Sequence, residues 1–234
     1  MWRKVVKEVW KWGNGKEGSI KKERTTMGFL FSQFSKPSGF VGKVVGWMMY
    51  KQNADINKWA MSFLDIKSTD HVLEIGFGPG YCVKELCDTY EGVRVSGLDP
   101  SETMVEEAKR RNQKGVERGQ VQLVKGYAEK VTELHDTIDK VLAINNITYW
   151  EDPVGTLATL RKKMSDKGRI SVALQPHEKG ANDQTTVIIG DQIRSFLEQA
   201  GFKQVLVHHK PGNPTKTTCV VGSVSSVPLI ANDF

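Results

Sequence analysis

The run Val72-Leu73-Glu74-Ile75-Gly76-Phe77-Gly78-Pro79-Gly80 sets an acid near the end of an apolar segment, with three glycines at alternate positions opening a helix. Glycine removes the side chain where a backbone turns sharply or where a ligand must touch the main chain. Dinucleotide enzymes use glycine loops too, but with the spacing Gly-x-Gly-x-x-Gly, and counting from Gly76 puts Tyr81 where their third glycine belongs. Glu74, two residues before the first glycine, would repel a pyrophosphate and suits an ammonium group. The alternative is a tight strand-to-helix turn with no ligand.

A second acid ends the next apolar run in Gly97-Leu98-Asp99-Pro100-Ser101, 19 residues past Gly80. A carboxylate there can accept both ribose hydroxyls of an adenosine. It serves nicotinamide and methyl-donor cofactors equally, so Asp99 points to a nucleoside without choosing between them. A plainer role for it is to cap the helix that begins near Ser101. The choice rests on Glu74, because S-adenosylmethionine carries a zwitterionic amino acid where NAD carries phosphates.

From Glu74 to Ser101 the chain resembles the class I S-adenosylmethionine-dependent methyltransferases, and the resemblance covers about residues 36–222. Gly126-Tyr127-Ala128-Glu129 is similar to the family's Gly-Asp/Ser-Ala-Glu segment lining the adenine. Ile144 through Pro153, with Asn145, Tyr149, Trp150, Asp152 and Pro153, is similar to its segment after the fourth strand, and Lys167-Gly168-Arg169 to its turn before the fifth. The resemblance implies that Glu74, Gly76, Phe77, Gly78 and Gly80 hold the methionine end of S-adenosyl-L-methionine. It gives Asp99 and the adjoining Pro100 to the ribose, Ser101 and Met104 to the ribose and adenine surroundings, and Ala128 and Glu129 to the adenine. Asn145 is expected beside the sulfonium and Tyr149 toward the acceptor, while Trp150 either faces the acceptor or packs on the following helix. Tyr127 departs from the pattern by standing where many relatives have an aspartate on the adenine amino group; backbone contact or ring stacking would replace it.

Methyl transfer from a sulfonium needs an acceptor lone pair in line with the methyl–sulfur bond, and holding that geometry can contribute ~7–11 kcal/mol. A protein nucleophile is unnecessary. A general base is required only if the acceptor must lose a proton, as a hydroxyl would, and His177 after the fifth strand is the candidate by position. The alternative is a solvated loop histidine, and His135, His208 and His209 have weaker claims. No cluster of His, Cys, Asp and Glu suggests a metal.

The elements that must position these residues alternate between short β-branched runs and amphipathic stretches, as βαβ sheets do. Strands are expected at His71–Ile75, Val93–Leu98, Val121–Lys125, Ile138–Ile144, Arg169–Leu174, Lys203–His208 and Thr217–Val221. Helices are expected at Tyr81–Tyr90, Ser101–Gly115, Ala128–His135, Pro153–Met164 and Asp191–Ala200. The expected fold is α/β: a Rossmann-like doubly wound seven-stranded sheet, mostly parallel, ending in an antiparallel hairpin over residues 203–221, plus an N-terminal helical lid. The chain divides into a helical segment at residues 1–66 and a cofactor-binding domain at 67–234. Within the first part, Trp2, Val5, Val6, Val9 and Trp10 lie at helical spacing among basic residues, an apolar segment runs from Phe29 to Met49, and a third helix covers about Asn53–Leu64. Asn53, Asn57 and Trp59 resemble positions seen in some relatives.

The net charge of +6 is concentrated at the front. Residues 1–26 hold 8 Lys/Arg against 3 Glu, which leaves 25 basic against 24 acidic residues for the body. That distribution argues against nucleic acid and for a small-molecule methyl acceptor. Two other readings use the basic front end: a methyltransferase acting on RNA or protein, and a cofactor-bound scaffold whose first helix touches an anionic membrane surface. Cys82, Cys87 and Cys219 are too few and irregular for a disulfide framework, and they fall outside the pattern of arsenite-methylating relatives. With no signal peptide and no membrane span, a cytoplasmic location is expected.

Overall fold

The computed structural model describes residues 54–226 apart from 134, 135 and 179. The expected helices at residues 2–11 and 29–49, together with Asn53 and His135, lie outside the described residues. The described chain starts in helix α1 (54–62). Then come β1 (His71–Ile75), α2 (Tyr81–Thr89), β2 (Arg94–Asp99), α3 (Glu102–Arg111), α4 (Gln113–Glu117) and β3 (Val121–Lys125). The second half holds β4 (Ile138–Ile144), α5 (Pro153–Lys163), β5 (Met164–Leu174), α6 (Asp183–Gln199), β6 (Lys203–Lys210) and β7 (Thr217–Ser223).

The seven strands form one sheet in the order β3-β2-β1-β4-β5-β7-β6. The pairs from β3 to β5 are parallel, while β7 is antiparallel to both β5 and β6. The mostly parallel Rossmann-like sheet with an antiparallel C-terminal hairpin is therefore as the sequence leads one to expect. Strand order reverses between β1 and β4, and ligands bind at the carboxyl ends of such a switch point. Successive side chains of a strand point to opposite faces, so Leu73, Ile75, Val141 and Ala143 join one core cluster while Val72 and Leu142 join the other. Helices α5 and α6 cover the first face through Leu157, Leu160, Ile193 and Leu197. On the second face Ile56, Ala60, Met61 and Leu64 pack with Val83 and Leu86. The described end of the expected lid segment thus sits on the sheet, where Phe63 stacks on His208 of β6 with ring centroids 4.3 Å apart.

Four elements differ from the sequence reading for identifiable reasons. Helix α6 begins at Asp183, eight residues earlier than expected, because Asn182 and Thr185 form a reciprocal capping box and Gly190 does not interrupt the helix. A Cβ at Gly190 would fall 2.6 Å from Thr218 Oγ1, so the glycine lets the helix lie against β7. The helix expected over Ser101–Gly115 divides at Asn112, whose side chain bonds the Gly80 and Ala108 carbonyls. The segment after β3 is a 3-10 turn, Ala128–Glu133. Strand β5 starts at Met164, but its register jumps: Ile138 faces Met164 and Lys140 faces Arg169. The expected Lys167-Gly168-Arg169 turn lies in that irregularity. Among the described residues no helix is long and apolar enough to cross a membrane.

Candidate active site

The carboxyl ends of β1 and β2 bring the two acids of the motif together. Glu74 is 4 % exposed and its Oε2 has no hydrogen-bond partner. Burial pushes its carboxyl up to about 8; the Cys82 thiol offsets part of that shift, and the neighbouring Asp99 charge adds to it. Asp99 is buried as well, yet both of its oxygens are engaged: Oδ2 accepts from Gly78 N and Oδ1 from Ser101 N, each at 2.9 Å. Burial raises its pKa, and these two backbone donors pull it back. Asp99 therefore fastens the glycine loop to the end of β2.

The three glycines do different work. All have positive φ, 71° at Gly76, 52° at Gly78 and 76° at Gly80, a region costly for other residues. A Cβ on Gly76 would lie 2.6 Å from Asn146 Nδ2, and one on Gly80 would lie 2.6 Å from Ala108 Cβ. A Cβ on Gly78 would meet nothing within 4 Å. Two glycines thus permit close packing, and only the middle one faces open space. Phe77 is buried over Gly97, where a Cβ would come within 2.5 Å of its ring. From the outside of the loop, Arg111 donates to the Pro79 carbonyl and lies 3.6 Å from the Tyr81 ring centroid.

The ends of β4 and β5 form the other half. Asn145 has φ 56°, its N–H donates to the Ala173 carbonyl, and its Oδ1 accepts from Gln175 N at 2.8 Å. Gln175 Nε2 in turn donates to the Thr215 carbonyl at 2.7 Å, tying this edge to the chain entering β7. The 3-10 turn Ile147–Tyr149 then presents Tyr149 at 60 % exposure, and Tyr127 beyond β3 is 64 % exposed. Glu129 Oε1 accepts from Glu151 N at 2.9 Å, linking the loop after β3 to the loop after β4.

A family model described as a methyltransferase domain matches residues 72–168. The chain is 30 % identical over 176 residues to the uncharacterized methyltransferase YdaC of Bacillus subtilis, covering 75 % of this chain and 95 % of that relative. The chain belongs to the class I S-adenosylmethionine-dependent methyltransferase family. Solved structures agree in fold. A methyltransferase in complex with the Trm112 activator of Haloferax volcanii matches with TM-score 0.62 at 18 % identity, over 79 % of this chain and 95 % of that one. An S-adenosylmethionine-dependent methyltransferase of Aquifex aeolicus matches with TM-score 0.56 at 19 % identity, over 72 % and 89 %.

In this methyltransferase the sequence-derived candidates follow the carboxyl ends of β1, β2, β3, β4 and β5, at one edge of the sheet. Glu74, Phe77, Asp99, Met104 and Ala128 are buried, and Pro100 is exposed at the start of the turn into α3. Ser101 caps α3, its side chain accepting from Met104 N at 3.4 Å. Trp150, for which two roles stood open, is 4 % exposed and belongs to the core beneath α5. His177 is exposed in the loop after β5; partial burial lowers its pKa and Glu178 opposes that shift. Sequence reasoning missed Asn146, Gln175 and Arg111, which hold backbone around the site. Asn146 follows a residue already chosen, and only its hydrogen bonds distinguish the two asparagines.

Proposed function

We propose that this methyltransferase transfers the methyl group of S-adenosyl-L-methionine to a small-molecule acceptor by in-line displacement. The observation that carries the cofactor assignment is the unpartnered, buried Oε2 of Glu74 beside a loop whose central glycine leaves its side open. A buried carboxylate oxygen without a donor is costly, and an ammonium group is the partner that relieves it. Asp99 keeps lone pairs beyond the two that its backbone donors use, so it can accept the ribose hydroxyls. Ser101, Met104, Ala128 and Glu129 would line the nucleoside side. S-adenosyl-L-methionine supplies an electrophilic methyl group on a sulfonium. The protein's part is to orient the partners: Asn145, fixed between β4 and β5, would set the sulfonium end, and Tyr149 would bound the acceptor. His177 Nε2 or Nδ1 would take the proton of a hydroxyl acceptor; an acceptor without one needs no base.

The small-molecule reading rests on charge distribution. Beyond residue 26 the chain is nearly neutral, and its donor and acceptor loops lie at one edge of a single sheet. A second reading draws on the basic residues 1–26, which suit RNA or an acidic protein substrate. The test is to incubate the full chain with isotopically labelled methyl donor and a cell extract, then separate metabolites from macromolecules. Label in a low-mass product that gains one methylene supports the proposal, and label confined to RNA or protein overturns it. Failure to bind S-adenosylhomocysteine in calorimetric titration overturns the cofactor assignment itself.

A further inference from the structure

Asn146 ties the end of β1, from which the glycine loop springs, to the loop after β4 by hydrogen bonds. Its Nδ2 donates to the Ile75 carbonyl at 2.5 Å and to the Ile144 carbonyl at 3.1 Å, while its Oδ1 accepts from Trp150 Nε1 at 3.0 Å. Ile75 is the last residue of β1 and immediately precedes the first glycine. A Cβ on that glycine would fall 2.6 Å from Asn146 Nδ2, so the amide lies flat against the turn that begins the loop. At its other end, Trp150 closes the 3-10 turn that carries Tyr149. An amide offers two N–H donors and an acceptor oxygen on one rigid plane, and here both ends are used. Aspartate would lose the donors, and an apolar side chain would lose everything.

We propose that Asn146 is a positioning residue that couples filling of the glycine loop to the placement of the acceptor loop at residues 147–152, a proposal that rests on the methyl-donor reading above. The coupling path is short and physical. Any shift of the Ile75–Gly76 peptide when ligand settles on the loop moves the carbonyl that Asn146 holds. Hydrogen bonds weaken steeply away from their preferred length and angle, so the amide follows and carries the indole N–H with it. Trp150 is anchored in the core, and rotation about that anchor re-aims the exposed Tyr149.

Amide hydrogen exchange of the full chain with and without S-adenosylhomocysteine tests this directly. In the wild type the ligand should slow exchange at residues 76–80 and also at 147–152. Trp150→Phe keeps the ring in the core and deletes the indole donor. It should bind S-adenosylhomocysteine within about threefold of wild type and protect 76–80, yet lose the protection at 147–152. Asn146→Asp cuts the link at the other end and should lose the same protection, with affinity weakened roughly tenfold by a carboxylate facing two carbonyls. A role confined to stability would lower protection throughout the sheet without ligand and leave the ligand-induced pattern intact. The proposal is overturned if 147–152 stay protected by ligand in Trp150→Phe, or are never protected in a wild type whose 76–80 are. Absence of any effect at 76–80 in the wild type overturns the cofactor assignment and the coupling together.

Discussion

At the ends of β1 and β2 the acids Glu74 and Asp99 are 4 % and 6 % exposed, and Asp99 holds the loop through backbone N–H groups. Beyond β3 and β4 the aromatic rings of Tyr127 and Tyr149 are 64 % and 60 % exposed, and His177 past β5 is exposed too. The donor half carries a buried carboxyl, Glu74, whose ionisation is opposed by burial, and a group perturbed in this way does little for the stability of the free protein. The acceptor half carries no such strain. Its exposed rings, Tyr127, Tyr149 and His177, can change with little effect on the fold, and exposed loops on a rigid sheet are where binding specificity is free to vary.

The sharpest break of this contrast is Glu74→Gln. Removing the charge should weaken S-adenosylhomocysteine by about 3 kcal/mol, roughly a hundredfold, because an ammonium would then face no anion in a buried site. Linkage adds a second reading of the same residue. The folded carboxyl titrates near 8 and an unfolded one near 4.5, so the folded state binds more protons between those values. Glu74's contribution to stability is therefore complete below about pH 4.5 and is lost as pH rises through 8. Ligand binding at pH 7 should accordingly release close to one proton, visible as a buffer-dependent calorimetric enthalpy. Glu74→Gln should abolish that proton release and raise the thermal midpoint of the free protein at pH 8.5 but not at pH 5. Equal proton uptake or release in wild type and variant would show that the amino-acid end is held elsewhere.

Asp99→Ala comes next. It strips an acceptor from Gly78 N and Ser101 N, and roughly twentyfold weaker binding with a loss of about 1–2 kcal/mol of stability is expected from denaturant titration. The glycines refine this further. Gly76→Ala and Gly80→Ala should each cost about 2–3 kcal/mol of stability, since both would collide with packed neighbours at positive φ. Gly78→Ala should cost about 1 kcal/mol for its φ alone and still weaken the ligand severalfold, because its methyl enters the open side of the loop. If Gly78→Ala binds normally, that open side does not face the cofactor.

The donor half was legible because its chemistry is local: a five-residue strand, three glycines and an acid at the end of the next strand fall within His71–Asp99. The sheet was legible for the same reason, its β-branched runs matching all seven strands within a few residues except the irregular start of β5. What escaped depends on contacts distant in sequence. Asn112 ends α3 because Gly80, 32 residues away, offers it a carbonyl, and Asn146 is set by Ile75, 71 residues away. The start of α6 had a local signal, the Asn182–Thr185 box, but β-branched Thr185, Thr186 and Val187 and then Gly190 read against a helix until packing on β7 is known. Trp150 could be read both ways because an indole suits a core and a binding surface equally, and its burial among the residues beneath α5 decides for the core.

The smallest effects belong to the acceptor half, and they test it from the other side. Tyr149→Ala and His177→Asn should leave stability within about 0.5 kcal/mol of wild type, as surface substitutions do, and S-adenosylhomocysteine affinity within about twofold. Their effect should appear only in transfer to the acceptor once the labelled product is known. The ring of His177 is held below its ordinary value by partial burial, so it is neutral and able to accept a proton at pH 7. With a hydroxyl acceptor, turnover should fall as pH drops through that lowered value, and His177→Asn should flatten the acid limb. With a nitrogen or carbon acceptor that arrives unprotonated, the limb and the effect of the substitution should both be missing. A His177→Asn variant that retains the full acid limb assigns the proton to another group. A Tyr149→Ala variant that loses cofactor affinity would erase the division between the two halves.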